Sequence, residues 1–229
     1  MKRFYDIINI IFYPVLFILL MWTVFLVEIN FGNDFTKFGV YPRKLSGLIG
    51  VVASPFIHSD LKHITNNSIT FFVLMLAIRV FYKKNFLRVF WIGLLLSGSL
   101  TWLIGRNSYH IGMSGVIYML ASFIMAKGFF SKNYHLIALT LCLVFLYGGM
   151  IWYVLPIVDG VSWEGHLAGM VAGILLSFFF KNEILVQAIK RPALTPNQEL
   201  FLEHFDENGK FVANLPFLDE DGNLILDEE

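Results

Sequence analysis

Six long apolar runs constrain the fold of this chain more than any other feature. They cover approximately residues 6–28, 63–82, 86–105, 113–130, 135–155 and 163–181. A bilayer core about 30 Å thick is crossed by roughly 20 mostly apolar helical residues. Because 57% of the residues are hydrophobic, 15% are charged and the mean hydropathy is +0.67, the sequence predicts an all-α membrane protein with six transmembrane helices.

The charge distribution divides the chain near residue 190. Residues 1–190 carry 15 basic and 7 acidic side chains, whereas residues 191–229 carry 2 basic and 10 acidic ones. We therefore expect a six-helix transmembrane domain over residues 1–185 and a short acidic cytoplasmic tail over residues 186–229. Two turn dipeptides, Asn208-Gly209 and Asp221-Gly222, predict a hairpin-like tail if it is not disordered.

Lys and Arg in short loops indicate the side of the membrane that each loop occupies. The N-terminus and the loops after the second and fourth runs are basic, whereas the loop around Asp159 has no Lys or Arg. We therefore expect both termini in the cytoplasm. The long first loop, residues 29–57, is expected to lie against the outer leaflet, in short helical pieces that end at Pro42 and Pro55.

Polar residues recur where the second, fourth and sixth runs begin at the outer face. His63 and Asn67 start the second run, Ser114 in "GMSG" starts the fourth, and His166 in "GHLAGMVAG" starts the sixth. Polar groups inside a membrane are costly and indicate function by default. Their shared depth predicts one site a little below the outer surface.

These residue types favour acyl transfer. A serine hydroxyl becomes a good nucleophile when a neighbouring histidine takes its proton, and Ser114 and His166 fit these roles. A Ser–His dyad is expected rather than a triad, since the sequence offers no obvious buried carboxylate to orient the base. His63 and Asn67 lie on one helix face and, with the backbone N–H of Ser114, predict an oxyanion site.

Small and aromatic residues support this arrangement. Gly165, Gly169 and Gly173 recur at four-residue spacing, which predicts close packing of two helices, and Gly112 thins the segment before the serine. Tyr118 follows Ser114 by four residues on the same helix face. We expect its ring to support the imidazole.

The stretch "HSDLKHITNN", residues 58–67, is polar at the mouth of the second run. Hydrolysis needs water, which the hydrocarbon core excludes, so we expect this stretch to keep a cavity open to the outer side. Asp60 or Ser59 would cap the helix. We expect His58 to be a supporting residue of the site. Alternatively, His58, His110 and His135 could each simply lie in the headgroup zone.

Together these motifs resemble those of the rhomboid family of intramembrane serine proteases, bacterial type. "HSDLKHITNN" fits H-x4-H-x3-N, "GMSG" fits G-x-S-G and "GHLAGMVAG" fits H-x2-G-x3-G, in the expected order. The resemblance covers residues 1 to about 185. It implies a Ser114–His166 dyad, an oxyanion site of His63, Asn67 and the serine amide, Tyr118 packed against the base, and no cofactor.

The resemblance also implies cleavage of single-span membrane proteins in or beside their transmembrane segments, in the plasma (inner) membrane. The substrate would enter from the bilayer between the second and fifth helices, and neither nucleic acid nor a nucleotide is an expected partner. Two features depart from the family pattern: Gly165 stands where many members have Ala, and "YPR" at 41–43 replaces the Trp-Arg pair of some members.

Three other interpretations stay open. A catalytically silent relative that binds client proteins would share the fold, although the presence of both Ser114 and His166 argues against it. A small transporter would also place polar groups at one depth, but the internal repeats of transporters are missing. A metalloprotease could use His58, His63 and His166 as metal ligands, but no HExxH motif accompanies them. Separately, the chain has a single cysteine, Cys142, which excludes an intrachain disulfide.

Overall fold

The computed structural model describes residues 2–131 and 134–180, and parts of the C-terminal region. Those parts are residues 201, 202, 204–206, 209–212, 217, 218, 224 and 225. The chain splits into two compact units, Met1–Ile184 and Leu185–Glu229.

The helices of the first unit follow the apolar runs. Their bounds are α1 (Lys2–Phe31), α2 (Gly50–Ala53), α3 (Leu61–Phe81), α4 (Phe86–Ile104), α5 (Ser114–Phe129), α6 (Tyr134–Tyr147) and α7 (Trp163–Phe179). A 3-10 segment, Gly148–Val154, continues α6. The prediction of a helix in each of the six runs is therefore confirmed, and α2 is a single turn within the first loop.

Four of the described helical segments are long and apolar enough to cross a membrane. They are Ile10–Phe31, Leu61–Phe81, Phe86–Ile104 and Tyr134–Val154. The helices α5 and α7 are apolar but shorter, with 16 and 17 residues. These four segments are thus candidate membrane spans by length and composition, and the count of six spans stays a prediction.

Helix α5 forms the centre of the bundle and contacts α3, α4, α6 and α7. Met119, Leu120 and Phe123 on α5 are fully buried. Outward-facing positions of the surrounding helices carry exposed large apolar residues, such as Leu19 on α1 and Phe145 on α6. Lipid requires this pattern, in which the backbone N–H and C=O groups are hydrogen-bonded within the helices and apolar side chains face outward.

The first loop folds into short helical pieces, as predicted, but its prolines do not end them. The 3-10 segment Thr36–Phe38 ends well before Pro42, and Pro55 lies inside the segment Ser54–Phe56. The predicted ends are therefore wrong. Pro55 can lie inside a helical segment because a proline in the first helical turn lacks only an N–H that would have no partner there. Leu45 is 83% exposed, in keeping with contact between this loop and lipid.

The described residues of the second unit include two short strands. β1 (Phe217–Leu218) pairs antiparallel with β2 (Leu224–Ile225), and Phe205 forms an isolated bridge with Phe211. The predicted turn residues Asn208 and Asp221-Gly222 lie outside the described residues.

Candidate active site

Ser114 and His166 are in hydrogen-bonding contact. Ser114 is the first residue of α5 and His166 lies in the first turns of α7, and Ser114 Oγ is 2.9 Å from His166 Nε2. The turn before Ser114 needs a glycine, since Gly112 has a φ of +103° that L side chains rarely adopt. The structure therefore joins two predicted site residues from distant parts of the chain.

Close packing of α5 against α7 produces this contact. A methyl group on Gly169 would overlap the carbonyl oxygen of Gly115, and one on Gly173 would overlap the carbonyl oxygen of Met119. Gly169 and Gly173 therefore allow the two backbones to approach, as the glycine spacing predicts. Gly165 has a different environment, because its missing methyl group would face Ser162 Oγ and Thr101 instead.

A main-chain carbonyl orients the imidazole. His166 Nδ1 lies 2.9 Å from the carbonyl oxygen of Tyr153. Because a carbonyl only accepts hydrogen bonds, Nδ1 carries the proton, and Nε2 presents its lone pair to the Ser114 hydroxyl. The carbonyl thus holds the tautomer that a triad's carboxylate would hold. From the sequence, Tyr153 is expected to pack in the core or in the interfacial belt. Its role here could not be predicted, because a main-chain contact leaves no side-chain signal in the sequence.

Tyr118 packs on the imidazole as predicted. The two rings are stacked, with centroids 4.3 Å apart and planes 13° from parallel. The Tyr118 hydroxyl donates a 2.6 Å hydrogen bond to the carbonyl oxygen of Met150. The tyrosine thereby ties α5 to the same 3-10 segment that orients His166.

His63 and Asn67 converge on the turn before Ser114. An ideal Cβ at Gly112 would lie 2.7 Å from His63 Nε2 and 3.4 Å from Asn67 Nδ2. Asn67 is 7% exposed, and its Nδ2 has no hydrogen-bond partner among the described residues. A buried, unpaired donor costs about 1–3 kcal/mol. An unpaired donor of this kind is suited to hydrogen-bond a group that enters the site, such as a substrate oxygen.

The first residues of α3 hold His63 in place. Asp60 caps the helix, since its Oδ1 accepts a 2.8 Å hydrogen bond from the His63 backbone N–H. Ser59 Oγ donates to Asp60 Oδ2 at 2.7 Å and lies 3.1 Å from His63 Nδ1. The cap predicted for this helix is thus confirmed, and it leaves His63 Nε2 facing the site.

The headgroup interpretation is wrong for His58 and His110. His58 is 2% exposed, and its ring packs edge-on against His63 with centroids 4.9 Å apart. Burial, together with the nearby His63, lowers the pKa of His58 to about 4. His110 is 4% exposed and is hydrogen-bonded on both ring nitrogens. Both side chains are buried because the first loop and the segment before α5 fold over them, whereas His135 is exposed.

A small polar cavity of about 30 Å³ lies beside the serine. Its lining includes the polar side chains of Ser54, Ser97, Thr101, His110, Ser114 and Ser162. A cavity of this size holds about one water molecule when two or more polar partners are available. The arrangement can therefore keep water next to Ser114 inside an otherwise apolar bundle.

The histidines of the site do not form a metal-binding cluster in the part of the chain that the structure describes. No three His, Cys, Asp or Glu side chains among those residues come together in a group that could hold a metal ion. The alternative that uses His58, His63 and His166 as ligands therefore finds no such cluster there.

Comparison with known proteins assigns the chain to a family. The Rhomboid domain model matches residues 45–183. An uncharacterized protein of Mycobacterium tuberculosis (strain ATCC 25618 / H37Rv) is 32% identical over 185 residues, covering 76% of this chain and 77% of the relative. One of Mycobacterium leprae is 31% identical over 173 residues, covering 71% and 68%. A protein of Acanthamoeba polyphaga mimivirus that bears a rhomboid name is 28% identical over 171 residues, covering 71% and 87%. With its motifs, its apolar helices and this match, the chain is a multi-pass membrane protein that belongs to the rhomboid family.

Proposed function

We propose that the protein is an intramembrane serine endopeptidase that hydrolyses peptide bonds in or next to the transmembrane segments of single-span membrane proteins. The observation that carries this proposal is the 2.9 Å contact between Ser114 Oγ and His166 Nε2. Family membership supports the fold, and the presence of both dyad residues supports activity. The Tyr153 carbonyl supplies the orientation that a dyad without a carboxylate needs.

The first half of the reaction forms an acyl-enzyme. His166 Nε2 takes the proton of the Ser114 hydroxyl while Oγ attacks the scissile carbonyl carbon. Asn67 Nδ2, the Ser114 backbone N–H and His63 Nε2 donate to the oxyanion of the tetrahedral intermediate. His63 donates in the tautomer with its proton on Nε2, in which Ser59 Oγ donates to His63 Nδ1 in place of Asp60 Oδ2. His166 then gives its proton to the leaving amine, and the C–N bond breaks.

The second half uses one water molecule. Water from the polar cavity beside Ser114 loses a proton to His166 Nε2 and attacks the acyl carbon. The C–Oγ bond breaks, His166 returns the proton to Ser114 Oγ, and the new carboxyl end departs. No metal or organic cofactor takes part.

In the membrane, α1 and α3 to α7 span the plasma (inner) membrane with both termini in the cytoplasm. At 1.5 Å per residue, α5 and α7 are about 24 Å and 26 Å long, which is less than a bilayer core of about 30 Å. Helices this short, ending inside the outer leaflet, would place Ser114 and His166 below the outer surface. Substrates enter between α3 and α6, with the first loop and the segment after α6 moving aside.

The test is cleavage of a single-span model substrate by the purified protein in detergent. Ser114→Ala and His166→Ala are expected to abolish cleavage without changing the thermal unfolding midpoint, and EDTA is expected to have no effect. Ser177→Ala is the matched control, because Ser177 Oγ bonds only within α7, to the carbonyl of Ile174. Cleavage by the Ser114→Ala variant, or inhibition of the wild type by EDTA, would overturn the proposal.

A further inference from the structure

A hydrogen bond joins the segment before α5 to the start of α7. His110 Nδ1 lies 2.6 Å from Ser162 Oγ, and His110 Nε2 lies 3.1 Å from the carbonyl oxygen of Arg106. Because the Arg106 carbonyl must accept, Nε2 carries the proton, and Nδ1 accepts a hydrogen bond from the Ser162 hydroxyl. The imidazole is therefore held in one tautomer between two fixed partners.

Ser162 occupies the N-cap position of α7 but does not use its side chain as a cap. Serine at this position ordinarily accepts a hydrogen bond from the first helical turn. Within the described residues, the Ser162 side chain makes no such bond and faces His110 instead. Its main-chain carbonyl accepts from the backbone N–H of His166 at 3.2 Å. The residue that contacts His110 thus also holds the turn that carries the base.

His110 is itself firmly tied to the scaffold that carries the nucleophile. Its backbone N–H and carbonyl both pair with Val40 at 2.9 Å, and the N–H of Gly112 donates to the Ser54 carbonyl at 2.8 Å. Ser114 follows His110 by four residues. The His110–Ser162 bond therefore connects the segment that ends in the nucleophile to the segment that leads to the base.

An ion pair spans the same two segments. Arg106 Nη1 lies 3.2 Å from Glu164 Oε2, and Arg106 Nη2 donates to the carbonyl of Val161 at 2.9 Å. This pair holds the start of α7 against the loop, so that loss of the His110–Ser162 bond alone would leave the fold intact. The bond would then affect the fine placement of His166 more than the stability of the bundle.

We propose that His110 and Ser162 are positioning residues that set the alignment of the Ser114 hydroxyl with the His166 imidazole. The inference rests on the proposed function, because it assigns these residues a role in that reaction. Neither residue donates a proton to the reacting atoms. They act through the geometry of the dyad.

The same contact favours a glycine at position 165. An ideal Cβ at Gly165 would lie 2.8 Å from Ser162 Oγ and 3.8 Å from Ser162 Cβ. A methyl group there would force the Ser162 hydroxyl to rotate away from His110. Gly165, Ser162 and His110 therefore behave as one unit, and substitutions of Gly165 and Ser162 should remove the same interaction.

The test measures single and double variants of this unit. Ser162→Ala and Gly165→Ala are each expected to lower kcat on the model substrate by about three- to tenfold, the equivalent of one hydrogen bond, with KM unchanged. The double variant should match the single variants and not show their product. Ser162→Thr keeps the hydroxyl and should retain most of the activity.

A second readout separates positioning from water supply, since Ser162 also lines the cavity. The rate at which a fluorophosphonate labels Ser114 depends on the dyad but not on the hydrolytic water. It should fall by the same factor as kcat in Ser162→Ala and Gly165→Ala. Ser177→Ala and Gly148→Ala are the matched controls, because a Cβ at Gly148 would make only an ordinary contact with Val144 Cγ1 at 3.8 Å.

The outcomes distinguish this inference from the proposed function. A wild type that neither labels nor cleaves overturns both. A wild type that labels, together with a Ser162→Ala variant that labels equally fast, overturns the inference alone. Effects of Ser162 and Gly165 that multiply, measured on variants with equal thermal unfolding midpoints, would also overturn it, because the two residues would then act separately.

Discussion

The substitution Gly169→Ala tests the packing that brings the dyad together. A methyl group on Gly169 would overlap the carbonyl oxygen of Gly115 and lie 3.1 Å from Tyr118 Cβ. Neither atom belongs to the free end of a flexible side chain, so α5 and α7 must move apart by on the order of 1 Å to restore contact distances.

The expected effect on activity is large. A shift of about 1 Å would stretch the 2.9 Å contact between Ser114 and His166 to roughly 3.9 Å, which is beyond hydrogen-bonding distance. Misplacement of this size costs about 100-fold in rate. Overpacking destabilises by about 1–3 kcal/mol, and the better helix propensity of alanine offsets about 1 kcal/mol. Activity is therefore a more sensitive readout than stability.

The assay combines kcat on a single-span substrate with thermal unfolding in the same detergent. Gly149→Ala is the matched control, since a Cβ there has no neighbouring atom within 4 Å, and it should keep wild-type activity. A folded Gly169→Ala variant with near-wild-type kcat would refute the reasoning, because the dyad would then tolerate the separation of its helices.

Three further predictions concern single side chains of the site. Tyr118→Phe keeps the stacked ring but loses the hydrogen bond to Met150, so kcat should fall by about three- to tenfold, and an equal loss in Tyr118→Phe and Tyr118→Ala would contradict a role for the ring. Asn67→Ala should lower kcat by about 100-fold, less than Ser114→Ala because two donors remain, with little change in the unfolding midpoint since Nδ2 has no partner among the described residues. The depressed pKa of His58, about 4 against 6.5 for the free side chain, keeps it neutral in the folded state while the unfolded chain binds a proton. This group alone should lower the free energy of unfolding by about 2 kcal/mol between pH 6.5 and about pH 5, as measured by denaturation in detergent. His58→Gln should make the pH slope of the protein smaller by that amount.

Hydropathy and motif spacing were enough to predict the helices and the candidates for the dyad. Apolar runs about 20 residues long have few alternatives to helices in lipid, so all six were found where hydropathy predicts them. Placing His63, Asn67, Ser114 and His166 at one depth needed only the order of the runs and the loop charges. Glycine spacing predicted that a neighbouring helix approaches Gly169 closely, and the structure identifies that helix as α5.

The contacts that orient the chemistry could be known only from the folded chain. The Tyr153 carbonyl that fixes the His166 tautomer is a main-chain atom, and any residue at that position would supply it. The burial of His58 and His110 depends on how the first loop and the start of α3 meet the segment before α5, as in the pairing of Val40 with His110 and the contact of Met113 N–H with His58 Nε2, which local sequence does not encode. Likewise, Gly165 forms part of the helical glycine pattern, yet its missing methyl group would face the Ser162 hydroxyl and not α5. Contacts between segments far apart in sequence arise from helix crossing and loop closure, and hydrophobic periodicity carries no information about either.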